Sequence, residues 1–250
     1  MCIAILQTEN QKVTEQEFRN CWNKNNDGVG YSFVKNGQIK TEKFMKLNPF
    51  LNAIKSDVKL FGNDSPFLIH FRYTTHGLTN IDNCHPFKVN EKQSFIHNGC
   101  INGVDDDEIK SDTRIFNEQI LRNLPSNWTD NQSIVKLVES FIGYSKLVFL
   151  NDDKSFKIVN ENLGHWNRNI WWSNDSYKTI KKIKFKPIYN YNYNSFNSYS
   201  RKNNTEKLSS CDWCLKSTED LISEREQEIC SDCFNVLEEE KNQIGFNFNN

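Results

Sequence analysis

Met1-Cys2-Ile3-Ala4-Ile5-Leu6 opens the chain. Ile3 to Leu6 is a short apolar run of the kind that forms a buried strand, and it would anchor the amino end inside a sheet. The residue just ahead of that strand is a cysteine. A small side chain at position two generally permits removal of an initiator methionine, after which Cys2 would carry a thiol and a free α-amino group on one residue. Such amines have pKa values of about 7.7 to 8.0, so near neutral pH a usable fraction is unprotonated. The terminus can then serve as general base for its own side chain, and no separate histidine is needed. The competing reading is that Cys2 is an accident of the start codon, and the rest of the chain decides between the two.

The chain has 250 residues, of which 37% are hydrophobic and 13% aromatic, enough for one good core with one small appendage. Its 31 basic and 32 acidic residues leave a net charge of −1, so no global field draws it to nucleic acid or to an anionic membrane. The opening apolar run stops at Leu6 and meets Gln7-Thr8-Glu9-Asn10, which fits neither a membrane span nor a secretory signal. Four of the eight cysteines fall in two C-x-x-C pairs. Without an export signal, that pattern suits a reducing, cytoplasmic setting better than a disulfide framework.

Thr14 to Trp22 has helical spacing, with Thr14 as N-cap ahead of Glu15 and Glu17. Tyr31-Ser32-Phe33-Val34 followed by Lys35-Asn36-Gly37-Gln38 reads as a strand entering an Asn-Gly hairpin. A helix is expected within Phe44 to Ile54, and strands at Phe67 to Tyr73 and at Ser94 to His97, the latter stopped by Asn98-Gly99. Ser111 to Leu124 and Ser133 to Phe141 are expected helices, with Ile115, Phe116, Ile120 and Leu121 on one face of the first. Leu147 to Leu150 and Phe156 to Val159 form a hairpin, and Ile170 to Ser173 one more strand. Strands on both sides of a central helix pair suggest two sheets sandwiching helices, a layered α+β architecture.

Cys2, His70-Phe71-Arg72-Tyr73-Thr74-Thr75-His76-Gly77, Asn83-Cys84-His85-Pro86, His97-Asn98-Gly99 and Ser111-Asp112-Thr113 occur in an order and spacing that resemble the class II glutamine amidotransferases. The resemblance runs from Met1 to about Tyr177. It implies a four-layer αββα sandwich of the N-terminal nucleophile hydrolase type. It also implies that Cys2 attacks the side-chain amide of glutamine to form a γ-glutamyl thioester and release ammonia. On the same grounds the Asn98 side chain and the Gly99 N–H would form the oxyanion hole, Arg72 would hold the substrate carboxylate, Asp112 its ammonium group, and Thr75, His76 and Gly77 would line the pocket. The sequence departs from the family pattern at Asn25 to Gly30, where the arginine-glycine pair that often introduces this turn is missing. It departs again at Val104-Asp105-Asp106-Asp107, a compact acidic turn in place of a longer segment.

Elementary chemistry points the same way. Free glutamine carries a carboxylate and an ammonium at one end and a neutral amide at the other, so a selective site needs one cation, one anion and a nucleophile a side chain's length away. Arg72, Asp112 and Cys2 are of the right types, and a planar guanidinium suits bidentate pairing with a carboxylate. Each has a plainer alternative: Arg72 as a surface cation, Asp112 as a helix cap, Asn98-Gly99 as a hairpin turn. His76, His85 and His97 read as strand-end and turn elements in preference to a metal triad, and Cys21, Cys84 and Cys100 as packing residues.

From Lys181 the composition shifts to asparagine, tyrosine, serine and lysine, read as a linker over residues 181–207 after a glutaminase domain of residues 1–180. Cys211, Cys214, Cys230 and Cys233 then form C-x2-C-x15-C-x2-C, a strong signature for one structural zinc ion, within a module of residues 208–237 and ahead of a tail of residues 238–250. Four thiolates close the coordination sphere, and so short a segment would owe most of its stability to the metal. No organic cofactor is expected. The acidic stretch from Asp220 to Glu228 argues against a DNA partner. The resulting expectation is a glutaminase whose ammonia passes to a separate acceptor protein. The alternatives are an N-terminal nucleophile hydrolase acting on another amide, and a non-catalytic scaffold. Deletion of residues 205–250 is expected to abolish association with the ammonia-accepting partner in co-purification; undiminished association would refute that role for the module.

Overall fold

The computed structural model describes residues 2–105 and 107–179 and, further on, residues 209–210, 217–218, 221–224 and 227–231. The chain divides into two compact units, residues 1–184 and 185–250. In the first, β1 (Ile3–Gln7), β2 (Val29–Lys35), β3 (Gln38–Phe44), β4 (Phe67–Phe71), β5 (Phe87–Asn90), β6 (Gln93–Asn98), β7 (Lys146–Asn151), β8 (Phe156–Val159), β9 (His165–Asn167) and β10 (Ile170–Trp172) accompany four helices. These are α1 (Glu15–Lys24), α2 (Leu47–Phe61), α3 (Asp112–Gln119) and α4 (Gln132–Ile142). The strands form two antiparallel sheets, ordered β3-β2-β4-β1-β10-β9 and β5-β6-β7-β8.

Side-chain alternation sorts the core into three clusters, because successive strand residues point to opposite faces. Ile3 and Ile5 of β1, Tyr31 and Phe33 of β2, and Ile69 and Phe71 of β4 pack with Phe18 and Cys21 of α1 and Phe50, Leu51 and Ile54 of α2. Phe95, Leu147, Phe149 and Val159 of the second sheet pack with Phe116 of α3 and Val135, Val138 and Ile142 of α4. The intervening positions, Ala4, Leu6, Leu68 and Trp171 on one sheet and Ile96, Val148, Leu150 and Ile158 on the other, form the third cluster. The sheets therefore meet each other directly and the helices cover their outer faces. This corrects the expectation, drawn from chain order, of two sheets sandwiching helices: order along the chain does not say which face of a strand a helix covers. The class is α+β.

Local chemistry accounts for most of the elements. Thr14 and Glu17 form a reciprocal capping box at the start of α1. Asn36 and Gly37 both take positive φ, 52° and 69°, as a two-residue turn matching the strand twist requires. Three boundaries differ from the sequence reading. β3 runs to Phe44 and α2 begins at Leu47 and continues to Phe61, since Val58 and Phe61 repeat the Ile54 face and pack against the same cluster. α3 stops at Gln119 and a 3-10 turn over Leu121–Asn123 follows, which the coming Pro125 favours and which buries Leu121. β5 and β9 are short, and neither was expected.

In the second unit β11 (Ser209–Ser210) pairs with β12 (Ser217–Thr218), and β13 (Leu221–Glu224) with β14 (Gln227–Cys230). The expected linker over residues 181–207 and the ligands Cys211, Cys214 and Cys233 lie outside the described residues, as does the Cys230 side chain. Among the described residues no helix is long and apolar enough to cross a membrane.

Phe149 is fully buried, stacked on Phe95 at 5.4 Å and edge-on to Trp128 at 5.1 Å. Phe149→Ala is expected to cost about 3 to 5 kcal/mol in urea unfolding, the range for an aromatic removed from a packed core.

Candidate active site

Cys2 immediately precedes β1, which lies inside its sheet with β4 on one side and β10 on the other, every residue buried. The thiol is half-buried, and its Sγ lies 3.2 Å from both the N–H and the carbonyl oxygen of Tyr73, just past β4. Burial pushes the Cys2 thiol pKa up; the Tyr73 N–H bond, the amino-terminal ammonium and Arg72 pull it back, and Asp112 adds to the rise. Arg72 and Asp112, although distant in sequence, thus both act on this sulfur.

Asn98, the last residue of β6, is fully buried and donates from Nδ2 to the Cys2 carbonyl oxygen at 2.6 Å. β6 pairs with β5 and β7 and makes no hairpin at Asn98-Gly99, which removes the simple-turn reading. Gly99 has φ of +145° and packs so tightly on Ser145 that any Cβ would collide with its side chain. A second carboxamide, Asn174 Nδ2, reaches the same Cys2 oxygen at 2.7 Å.

Arg72 is 3% exposed, so it is no surface cation. Its guanidinium donates to the carbonyls of Leu78 and His76, each at 3.0 Å, and so clamps the loop that follows β4. Three of its five N–H groups have no protein partner among the described residues. Gly77, at φ of +69°, lets this loop lie against Lys110-Ser111, where a Cβ would come within 2.6–2.7 Å of backbone. Thr75 hydrogen-bonds the His76 ring at 3.2 Å.

Asp112 is the first residue of α3, and Ser111 is its cap. The Asp112 carboxylate accepts from Ile101 N and Thr113 N, both at 2.7 Å, which ties α3 to the segment leaving Gly99. It lines a cleft of about 270 Å³ with His76, Asp105, Asp107, Lys110 and Ile101. Cys2, Arg72 and Asn98 lie outside that lining. The expected site residues therefore fall into two groups, one around the thiol and one around the cleft, joined by the Arg72–His76 bond.

Sequence reasoning missed several residues that hold this geometry. Buried Asn83 donates to the carbonyls of Leu78 and Ile109 and accepts from Ser111 N, stitching together the two loops that flank the cleft. Asp27 accepts from Thr74 N at 2.8 Å, and Lys146 Nζ approaches Asn98 Oδ1 at 3.4 Å. These residues, like Asn174, are ordinary polar positions in loops or at strand ends. Asn83 falls within the Asn83-Cys84-His85-Pro86 motif and Asp27 within the Asn25 to Gly30 turn, but sequence reasoning assigned neither a role, and nothing in the spacing marks Lys146 or Asn174. Cys21 and Cys84 are buried as expected, whereas Cys100 is exposed and is no packing residue.

His70, His85 and His97 form a buried column, with ring centroids 3.9 Å apart for His70–His85 and 6.1 Å for His85–His97. Among the described residues no group of three or more His, Cys, Asp or Glu side chains could hold a metal ion. His97 Nδ1 meets Thr113 Oγ1 at 2.7 Å, and Thr113 in turn donates to Asp112, which assigns the proton to Nδ1; Nε2 has no partner among the described residues. Nor, among the described residues, does either nitrogen of His70. Burial lowers the pKa of all three, to about 4 for His97; His97 opposes the charging of His70, both oppose that of His85, and Asp112 pulls His97 back up.

No protein-family model matches the chain, and a search of curated proteins finds no match.

Because the folded pKa values lie below the unfolded value of about 6.5, the native state binds fewer protons than the unfolded chain in acid. Stability is expected to hold above pH 6.5 and to fall as pH drops toward the folded values, with a limiting slope of about 1.4 kcal/mol per unit for each histidine. His70→Leu, which removes two unpaired nitrogens, is expected to keep or raise stability at pH 7 and to flatten the decline, as read by urea midpoints at pH 7 and 5.5.

Proposed function

We propose that the chain is a glutaminase of the class II amidotransferase type, built on the N-terminal nucleophile hydrolase fold, with Cys2 as the nucleophile once Met1 is removed. The observation that carries this reading is the 2.6 Å bond from Asn98 to the Cys2 carbonyl. It joins two members of the motif series, the opening cysteine and the His-Asn-Gly strand end, across 96 residues. The succession of helices, sheet, sheet and helices supports the αββα layering that the resemblance implies.

In this reading the free Cys2 amine takes the thiol proton and Sγ attacks the carboxamide carbon of glutamine. The second N–H of Asn98 Nδ2 and the Gly99 N–H stabilise the oxyanion, and loss of one such donor typically costs about 100- to 1000-fold. Collapse breaks the carbon–nitrogen bond, the ammonium returns its proton to the departing nitrogen, and ammonia leaves. Water then cleaves the γ-glutamyl thioester to give glutamate and the thiol. Arg72 receives the substrate carboxylate through its remaining N–H groups, and Asp112 the ammonium. Thr75, His76 and Gly77 form the wall between them, and the ammonia goes to a separate acceptor protein.

Cys211, Cys214, Cys230 and Cys233 would hold one structural zinc. Paired strands flanking residues 211–216, and a strand ending at Cys230, fit such an arrangement. With four thiolates the ion has no open position and takes no part in the chemistry.

A second reading, hydrolysis of a different amide, draws on the engagement of Arg72 with the His76 and Leu78 carbonyls, because a substrate lacking the carboxylate would leave that clamp undisturbed. The test is incubation of purified protein with glutamine, assay of glutamate and ammonia, and mass spectrometry for loss of Met1. Cys2→Ala is expected to be inactive, and Arg72→Ala to raise KM for glutamine about 10- to 100-fold, as expected for a lost charge-assisted bond of about 1.5–3 kcal/mol. Turnover of an amide without charged ends, with glutamine untouched, would replace the first reading by the second.

A further inference from the structure

We propose that Asn174 is the positioning residue that aims Cys2, an inference that rests on reading Cys2 as the nucleophile. A carbonyl oxygen has two acceptor sites, and at Cys2 each is taken by a carboxamide N–H, Asn98 Nδ2 at 2.6 Å from the end of β6 and Asn174 Nδ2 at 2.7 Å from the segment after β10. Two donors fix the plane of the Cys2 carbonyl, and with it the rotation about the Cα–C bond that decides where the nitrogen and the Sγ point. Asn98 is shared: its amide must also serve the oxyanion, and its oxygen faces Lys146. Asn174 Nδ2 has only the Cys2 carbonyl as partner among the described residues.

The segment carrying Asn174 is itself fixed. Ser173 N donates to Ala4 O at 3.0 Å and Ser173 Oγ accepts from Ala4 N at 2.8 Å, continuing the β1–β10 pairing past Trp172 toward Cys2. Asn174 Oδ1 accepts from Ser176 N at 3.0 Å. Tyr177 stacks on Trp172 with ring centroids 3.8 Å apart, its hydroxyl accepts from Asn167, and its carbonyl accepts from Asn20 Nδ2 at 2.8 Å. Anchored on both sides, the carboxamide of Asn174 reaches Cys2 from a rigid base.

The two functions of this side chain can be separated. Asn174→Asp keeps the oxygen that accepts from Ser176 but loses the donor to Cys2, whereas Asn174→Ala loses both. If the residue aims Cys2, both variants lower kcat about 10- to 100-fold, the scale of a misaligned reacting group. KM for glutamine then stays within about twofold of wild type and the unfolding temperature of Asn174→Asp is unchanged. A second readout needs no substrate: the rate at which iodoacetamide alkylates Cys2 in Met1-free protein, expected to fall in both variants. Slowing in Asn174→Ala alone would show a structural brace, and slowing in Asn174→Asp alone a charge effect; either overturns the proposal. Loss of alkylation rate in both variants, in a protein that hydrolyses no amide, would uphold the positioning role and remove the glutaminase reading.

Discussion

The structure turns on the confinement of one strand. β1 is hydrogen-bonded along both edges, to β4 with Ile3 opposite Phe71 and to β10 with Ile5 opposite Trp172, and its side chains fill both faces of the sheet. A terminal strand is ordinarily the first part of a domain to fray. Here it cannot leave without opening the centre of the first sheet and two of the three apolar clusters, so the residue ahead of it inherits a fixed position. In the proposed function Cys2 would need that rigidity, because an attacking group that supplies its own base is useful only if the substrate is brought to a constant place.

The second sheet contributes what the first lacks. β6 ends at Asn98, where it meets the start of β1, and the inter-sheet layer sets that meeting through Ile96 against the first sheet and a buried Ser32–Ser94 bond at 2.9 Å. The loops around the cleft rest on the second sheet's apolar cluster through Ile101 and Val104. They are held by polar groups that would be costly to bury unpaired: Arg72 on two carbonyls, Asn83 on three backbone groups, Asp112 on two N–H groups. The candidate site is thus a hydrogen-bonded rim on an apolar frame. The histidine column is the exception, buried with both His70 nitrogens and His97 Nε2 unpaired among the described residues, and it is expected to make the frame sensitive to acid.

Much of the frame was legible in the sequence. The Thr14–Glu17 cap, the Asn36-Gly37 turn and the apolar runs of β1, β4, β6, β7 and β10 all carry local signals, and the structure follows them. Elements were misjudged where a local signal competed with packing. α2 outlasts its polar interruption at Lys55-Ser56-Asp57 because Val58 and Phe61 still face the core, and α3 ends early because Pro125 and the burial of Leu121 favour a tighter turn. Cys2, Asn98, Gly99, Arg72 and Asp112 could be singled out by residue type and order. Asn174 and Lys146 could not, since carboxamides and lysines in loops are common and their partners lie far away in sequence.

What the sequence by itself determined is most of the strands and helices, the α+β class and the chemical types gathered in the motif series, because these follow from periodicity, capping and side-chain chemistry over a few residues at a time. The tertiary structure alone decided that Arg72 turns its fork to the loop carbonyls and that two asparagines converge on one carbonyl oxygen. The physical reason is range: such contacts join residues as many as 172 positions apart. Their geometry exists only after the apolar layers have brought the strand ends together.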